Sequence, residues 1–379
     1  MSDTDVPSTG HELRSTVSDD GQVTLAMGAF EITAPGPDEV VVRIEAAPIN
    51  PSDLGMLFGG ADLRRAESTG TDELPAVSAP LSQAALDSQR ARAGTPMPVG
   101  NEGGGTVIAA GSSDSAQALL GKVVGFLSGN AYATHRTVNV ASCLAMHDGT
   151  TGEQAAACFV NPLTALGMVE TMRAEGHTAL VHTVGASNLG QMLNRICLDD
   201  GVGLVNLVRK PEYADLLREA GAEHVVDTSS DTFRDDLVTS LRATGATIAF
   251  DAIGGGDIAS TLLSCMEQVA SEGAEFSRYG SSVHKQVYIY GGLDRGPTTL
   301  HRNFGMAWSV GGWLLTPFLM KLGAEGAERL RRRVADEITT TFASNYGLKL
   351  TLAEAVDPDA VQRYGRMATG DKALVTPHR

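Results

Sequence analysis

The stretch Val181–Leu198, VHTVGASNLGQMLNRICL, decides how this chain reads. It begins inside a β-type run, ALVHTV, passes through a cluster of small residues and continues as a helical pattern with Leu189, Leu193, Ile196 and Cys197 on one face. Strand, tight turn and helix in that order open a dinucleotide-binding βαβ unit. Gly185, Ser187 and Gly190 stand at the three glycine positions of that fingerprint, so the middle glycine has become serine. Small residues let the backbone approach a pyrophosphate, while the helix N-terminus supplies N–H groups and partial positive charge. Ala186 and Leu189 complete the turn, and Ser187 and Asn188 can add side-chain donors. A glycine-rich turn alone is an ordinary structural device; here the βαβ context points to cofactor binding.

Downstream, GLVNLV, PEYADLLREAGA, HVVD, TIAFDAIGG and QVYIYGG alternate strand and helix patterns, the rhythm of a doubly wound parallel sheet. At the end of the second strand, where an NAD enzyme would place an acid on the ribose 2′-hydroxyl, the chain has Arg209 and Lys210. Two cations suit a 2′-phosphate, so the expected cofactor is NADPH; a solvated pair opening a helix is the plainer alternative. Upstream, VVRIEA, GTVIAA and KVVGFL are short β-type runs separated by Gly, Pro and Asn, which predicts an irregular, strand-rich domain. Near the other end, Leu330, Val334, Ile338 and Phe342 recur every four residues and predict a helix, and KALVTP predicts a short strand returning to the first domain.

Composition narrows the functional classes. The chain has 379 residues, enough for two domains, with 42% hydrophobic and 20% charged residues, as in ordinary globular proteins. The weakly polar run Met306–Met320 is too short to cross a bilayer, and Asp3 and Asp5 do not suit a secretory signal, so a cytoplasmic location is expected. Cys143, Cys158, Cys197 and Cys265 form no CxxC and read as reduced, buried thiols. A formal charge of −16 argues against nucleic-acid or membrane partners and requires a local cation cluster for any anionic ligand.

Taken together in order and spacing, GPDEVVVRIEAAPINPSDL, VGNEGGGTVIAAG, VNPLTALGMVE and VYIYGGL resemble the medium-chain dehydrogenase/reductase superfamily, in its zinc-independent quinone oxidoreductase and enoyl thioester reductase branch. The resemblance covers most of the chain. It implies a GroES-like strand-rich domain, residues 1–160 completed by 320–379, and a Rossmann domain, residues 161–319, with the active cleft between them. It also implies that Asn50, Asn161 and Thr164 lie near the nicotinamide end of the cleft, Asn50 and Thr164 as catalytic donors. Tyr290, Gly291 and Gly292 would support the nicotinamide ring and its carboxamide; from strand alternation alone, Tyr290 reads equally as an inward-facing strand residue. Trp313 matches an aromatic at the substrate entrance, with core packing as the ordinary alternative.

The departures from that family bear on chemistry. The zinc-dependent branch has Cys and His ligands where this chain has Asn50 and Asn101, so no metal is expected. A tyrosine found in many relatives eight residues after the Asp of the Asn-Pro-Ser-Asp turn is Ala61 here, and another aromatic is Leu166. Reduction of a quinone or enone tolerates the loss of that general acid better than reduction of an enoyl thioester. The expected function is hydride transfer from NADPH to a small conjugated carbonyl compound, by a homodimer. A 2-enoyl thioester reductase, or a non-catalytic NADPH-binding sensor or scaffold, are the alternatives. Residues 62–98 are longer than in relatives and predict an added helix after Pro80, a lid or a dimer contact. Residues 275–286 bring Arg278, Tyr279, His284 and Lys285 near a late strand, as a solvated loop or a reserve of proton donors.

Overall fold

Two runs of alternating and continuous apolar residues near the N-terminus build the strand-rich part. In Glu39–Pro48 the side chains of Val40, Val42 and Ile44 are fully buried, and the strand pairs antiparallel with Glu102–Ala110, His135–Asn139 and Ala373–Val375. It is the hub of a seven-stranded sheet, beside a five-stranded sheet that contains Thr9–Val17 and Gln22–Glu31. Leu13, Leu25, Phe58, Phe126 and Tyr132 fill the core shared by these strands. The short strand at the end of the chain, Ala373–Val375, completes the larger sheet, as its sequence suggests.

The computed structural model describes residues 6–379. The chain divides into two units, Met1–Val160 with Arg331–Arg379, and Asn161–Leu330. The second division falls inside the helix Leu315–Asp336, later than the expected position near 320; Gly323, at φ 79°, interrupts that helix. The helix ends at Asp336, so the repeat from Leu330 is helical only in part: Ile338 and Phe342 are buried in the turns that follow.

Residues 62–98 are more than an added helix. Pro75–Pro80 is a strand that pairs antiparallel with Gln22–Glu31, and Glu67–Gly70 pairs in turn with it at the sheet edge. Pro80 ends a strand; the helix is Gln83–Gln89, capped by Ser82, whose hydroxyl accepts the Ala85 N–H. Arg92 then ties the segment down by donating to Ser15 and to the Met56 carbonyl.

In the second unit six parallel strands follow the spatial order His224–Asp227, Gly203–Val208, Ala179–His182, Ile248–Asp251, Lys285–Ile289, Trp308–Gly312. The middle strands are apolar on both faces, as strands covered by helices on each side must be. Counted along the chain the order is 3-2-1-4-5-6, which places a topological switch point between Ala179–His182 and Ile248–Asp251.

Candidate functional site

The turn after Ala179–His182 is built by close contacts. A Cβ at Gly185 would stand 2.8 Å from the Asn206 side chain, and one at Gly190 would collide with the Gly185 carbonyl. Both glycines therefore let the helix Asn188–Asp200 pack hard against its strand. The middle position needs no glycine: Ser187 is extended, at φ −64° and ψ 162°, and its hydroxyl caps the helix by accepting the Gly190 N–H at 3.0 Å. Gln191 closes the turn by donating to the Ala186 carbonyl at 2.9 Å.

The neighbouring strand Gly203–Val208 ends immediately before Arg209 and Lys210, both exposed. Lys210 sits 3.4 Å from Glu212, an exposed pair worth little. Arg209 has no ion-pair partner among the described residues. A cation left without a partner in a chain of net charge −16 suits an anionic group.

At the switch point itself the strand ends are buried and polar. The Asp251 carboxylate accepts from the Thr183 hydroxyl at 3.0 Å and from the Ile253 and Gly254 N–H groups, and burial raises its pKa. His182 is fully buried; its Nε2 lies 2.7 Å from the Tyr290 hydroxyl, the two rings stack at 5.8 Å, and its Nδ1 has no hydrogen-bond partner among the described residues. Burial depresses the His182 pKa to about 3, so the ring is neutral at physiological pH.

Tyr290 follows the strand Lys285–Ile289 and forms one wall of a cleft of about 510 Å³ with Gly291 and Gly292; Trp313, Leu314 and Pro317 form the other. The Gly291 and Gly292 N–H groups make no backbone hydrogen bond among the described residues. Trp313 does both things its position allows: it lines the cleft, yet its ring packs on Gly167 and its indole N–H donates to Thr171 at 3.0 Å. Asn161 and Thr164, both buried, lie one turn apart at the start of the helix Val160–Ala174.

Asn50 belongs to the strand-rich unit, where a buried set of charges fixes its turn. Its side-chain amide donates to Glu102 at 2.9 Å, while its backbone N–H donates to Asp53 at 2.8 Å. Asp53 also accepts the Asn101 N–H, and Glu102 accepts the Phe159 and Val160 N–H groups. Burial pushes Asp53 up to about 7, raises Glu102, and pulls the amine of nearby Lys372 down to about 8. Among the described residues no three His, Cys, Asp or Glu side chains gather as metal ligands.

Solved structures share this fold along nearly the whole chain. A Mesorhizobium loti protein provisionally described as an NADPH:quinone reductase superposes with a TM-score of 0.72 at 24% identity, covering 98% of this chain and 99% of that one. A quinone oxidoreductase of Pseudomonas syringae gives 0.66 at 19% identity over 97% and 100%, and a mutant enoyl thioester reductase of Candida tropicalis 0.67 at 20% over 97% and 99%. The chain has the medium-chain dehydrogenase/reductase fold. No family model matches it. Among curated sequences, the mitochondrial enoyl-[acyl-carrier-protein] reductase of Xenopus tropicalis is 30% identical over 210 residues, 53% of this chain and 51% of that protein. The matched stretch spans only 10% of a mycocerosic acid synthase-like polyketide synthase of Mycobacterium tuberculosis and 53% of the rat synaptic vesicle membrane protein VAT-1 homolog.

Within this fold the positions without hydroxyls are explicit. Ala61 packs, half-buried, against the core of the strand-rich unit, and Leu166 is buried in its helix. The segment 275–286 is not a reserve of donors for the strand ends. It runs into the first two residues of Lys285–Ile289 and so lies at the amino end of a parallel strand whose carboxyl end leads to Tyr290. Lys285 is itself buried, pairing with Glu267 and donating to the Val283 carbonyl at 2.9 Å. All four cysteines are free and buried, and no helix among the described residues is long and apolar enough to cross a membrane. Sequence patterns alone did not single out His182, Asp251, Asp53 or Glu102 as site residues. The signal for Asp251 was its place at the end of the apolar strand IAFD, beside the glycine turn.

Proposed function

We propose that this protein is an NADPH-dependent oxidoreductase that reduces a quinone or another small conjugated carbonyl compound. The observation that carries the reading is the pairing, on adjacent strand ends, of a turn that only glycine fits at Gly185 and Gly190 with the exposed Arg209 and Lys210. Glycines that seat the helix Asn188–Asp200 close against its strand bring the N–H groups of its N-terminus to the strand end, which suits a pyrophosphate, and two cations at the next strand end suit a 2′-phosphate. In this reading Gly185, Ala186, Ser187, Asn188, Leu189 and Gly190 hold the pyrophosphate. Arg209 and Lys210 hold the 2′-phosphate, and Asn161, Tyr290, Gly291 and Gly292 surround the nicotinamide. When bound, the nicotinamide supplies a hydride.

The chain's own residues then orient and polarise. Asn50 and Thr164 are the donors proposed to steady the acceptor oxygen. The Glu102 carboxylate fixes the Asn50 amide, so one of its N–H bonds is committed and the side chain cannot rotate freely. Ala61 and Leu166 supply no acid, which favours acceptors whose reduced oxygen collects its proton from water. Enoyl thioester reduction is the second reading, favoured by the 30% identity to the frog enoyl reductase.

The deciding experiment measures kcat/KM at one NADPH concentration for a quinone, a short enone and an enoyl thioester. Quinone and enone are expected ahead of the thioester. A clear preference for the thioester reverses the assignment of acceptor. Saturable NADPH binding without turnover of any of the three makes the protein a nucleotide-binding sensor or scaffold.

A further inference from the structure

Glu102 fixes the Asn50 side chain in one orientation only while it carries its charge. Its Oε1 accepts the Asn50 side-chain N–H at 2.9 Å, and its Oε2 accepts the Phe159 and Val160 N–H groups, each at 2.9 Å. An ionised carboxylate can only accept, so the Asn50 nitrogen, and not its oxygen, faces Glu102. A proton taken up by Glu102 would sit on Oε1, because Oε2 already meets two donors. Oε1 would then donate, and the Asn50 amide, nearly symmetrical in shape, would turn over to present its oxygen. Burial favours that protonated form of Glu102, and a positive charge close by opposes it.

Lys372 stands in the right place. The Ile49 N–H donates to the Ala373 carbonyl at 2.9 Å, which sets Lys372 beside the Asn50 turn. From the other side, Tyr346 packs with Ala46 and Ala156, and Ala46 pairs with Gly104, two residues along the strand from Glu102. The Lys372 amine lies 5.4 Å over the Tyr346 ring; it is buried and makes no hydrogen bond among the described residues. An ammonium without a hydrogen bond tethers nothing, and what it contributes is its charge, felt strongly in a weakly polar interior. The other groups around Glu102 do not replace it. Asp53 adds negative charge when ionised, and burial keeps Tyr132, Tyr346 and Cys158 protonated. Arg331 is turned to the Ala141 and Cys143 carbonyls. On the paired strand Arg43 is exposed, and Glu45 is engaged by Thr106 and the Gly152 N–H.

We propose that Lys372 is a positioning residue whose unpartnered ammonium holds Glu102 as a carboxylate and so keeps the Asn50 nitrogen, with its second N–H, in place as a donor. The proposal rests on the reading of Asn50 as a donor to the acceptor oxygen; a turned amide would offer that oxygen a lone pair instead. A donor aimed in advance at an oxygen that becomes negative lowers the barrier, and an acceptor in its place raises it. Lys372 needs no contact with cofactor or acceptor for this role.

The test reads the carboxyl group first and the reaction second. Protein labelled with ¹³C at its glutamate carboxyl groups is titrated by infrared spectroscopy, and the Glu102 band is identified by its absence from Glu102→Gln. In wild type that band is expected to be a carboxylate at pH 7. Lys372→Met, which keeps an unbranched chain and removes the charge, should raise its midpoint by roughly one pH unit or more. Lys372→Arg should hold it near wild type. With NADPH and cyclohex-2-enone, kcat/KM should fall in acid at a midpoint that moves with the band in each variant. A protonated Glu102 in wild type at pH 7 would overturn the proposal, and that reading needs no Lys372 variant to fold. So would an unmoved band in Lys372→Met, or a kcat/KM reduced by one factor at every pH, which makes Lys372 a packing residue. A band that moves in a protein that turns over no acceptor refutes the proposed function instead and leaves the charge pairing standing, since the infrared titration needs no turnover.

Discussion

The polar groups behind Asn50 and those behind Tyr290 are both buried, yet they are finished to different degrees. The Glu102 and Asp53 carboxylates accept three and two N–H groups between them and the backbone and amide of their neighbours. His182 and Tyr290 share one hydrogen bond, and Nδ1 of His182 has no partner among the described residues. The two carboxylates hold a shape because each is fixed by several donors, although the buried amine of Lys372 beside them has no hydrogen-bond partner among the described residues. A buried polar atom left without a partner is costly to keep in a protein interior. The contrast separates two carboxylates that fix the geometry of a turn from a histidine–tyrosine pair held by a single bond.

Removing one member of each network should therefore cost very different amounts. Glu102→Gln puts an amide against three donors, and a loss of about 3 kcal/mol in urea unfolding is expected. Tyr290→Phe should lose about 1 kcal/mol or less. Equal losses would break the comparison.

The second test uses pH. His182 stays neutral in the folded state, with a pKa near 3, but takes up a proton at about 6.5 when unfolded. Its contribution is present above pH 6.5 and is lost as the pH falls, by about 2 kcal/mol on reaching pH 5. Asp53 acts in the opposite sense: its folded pKa, near 7, lies above the unfolded value, so the folded state binds the extra proton as the pH falls below 7. The two offset one another in wild type. His182→Gln removes one side of the balance, and denaturation at pH 7 and pH 5 should show the variant gaining stability in acid relative to wild type. Parallel curves would place His182 in solvent contact.

A smaller effect is expected at the open cations. Replacing both Arg209 and Lys210 by Ala should weaken NADPH at least tenfold, about 1.4 kcal/mol, and leave NADH nearly unchanged, as read by fluorescence titration. Equal losses for both cofactors would mean that these residues support the helix and not the 2′-phosphate. The smallest effect expected is none at all: with Asn50 and Asn101 at the ligand positions, a strong chelator should leave activity intact. Activity lost on chelation and restored by zinc would contradict that.

The sequence carried what periodicity and turn chemistry can carry. The stretch Val181–Leu198 marked the strand, the turn and the helix, because close packing at Gly185 and Gly190 admits only small residues and leaves a local trace. The strand at Ala373–Val375 was legible from three apolar residues beside a turn. The sheet strand Pro75–Pro80 was not, since its two prolines read as breakers and its partner, Gln22–Glu31, lies far away in the chain. The pairing of His182 with Tyr290 spans 108 positions, and that of Asn50 with Glu102 spans 52. No spacing rule reaches across such distances; the sheet order brings these groups together.

One feature of the connectivity bears on how the protein is made. The seven-stranded sheet needs Ala373–Val375 and Leu348–Leu350, whereas the six-stranded sheet draws every strand from Ala179 to Gly312. During synthesis the ribosome delivers the whole parallel sheet before it delivers the strands that finish the earlier one. The N-terminal part thus waits with the Pro48 end of Glu39–Pro48 unpaired on that side while its neighbour can already fold. At roughly 5–20 residues per second, that exposed edge persists for seconds to tens of seconds on every nascent chain, the interval in which a chaperone has most to protect.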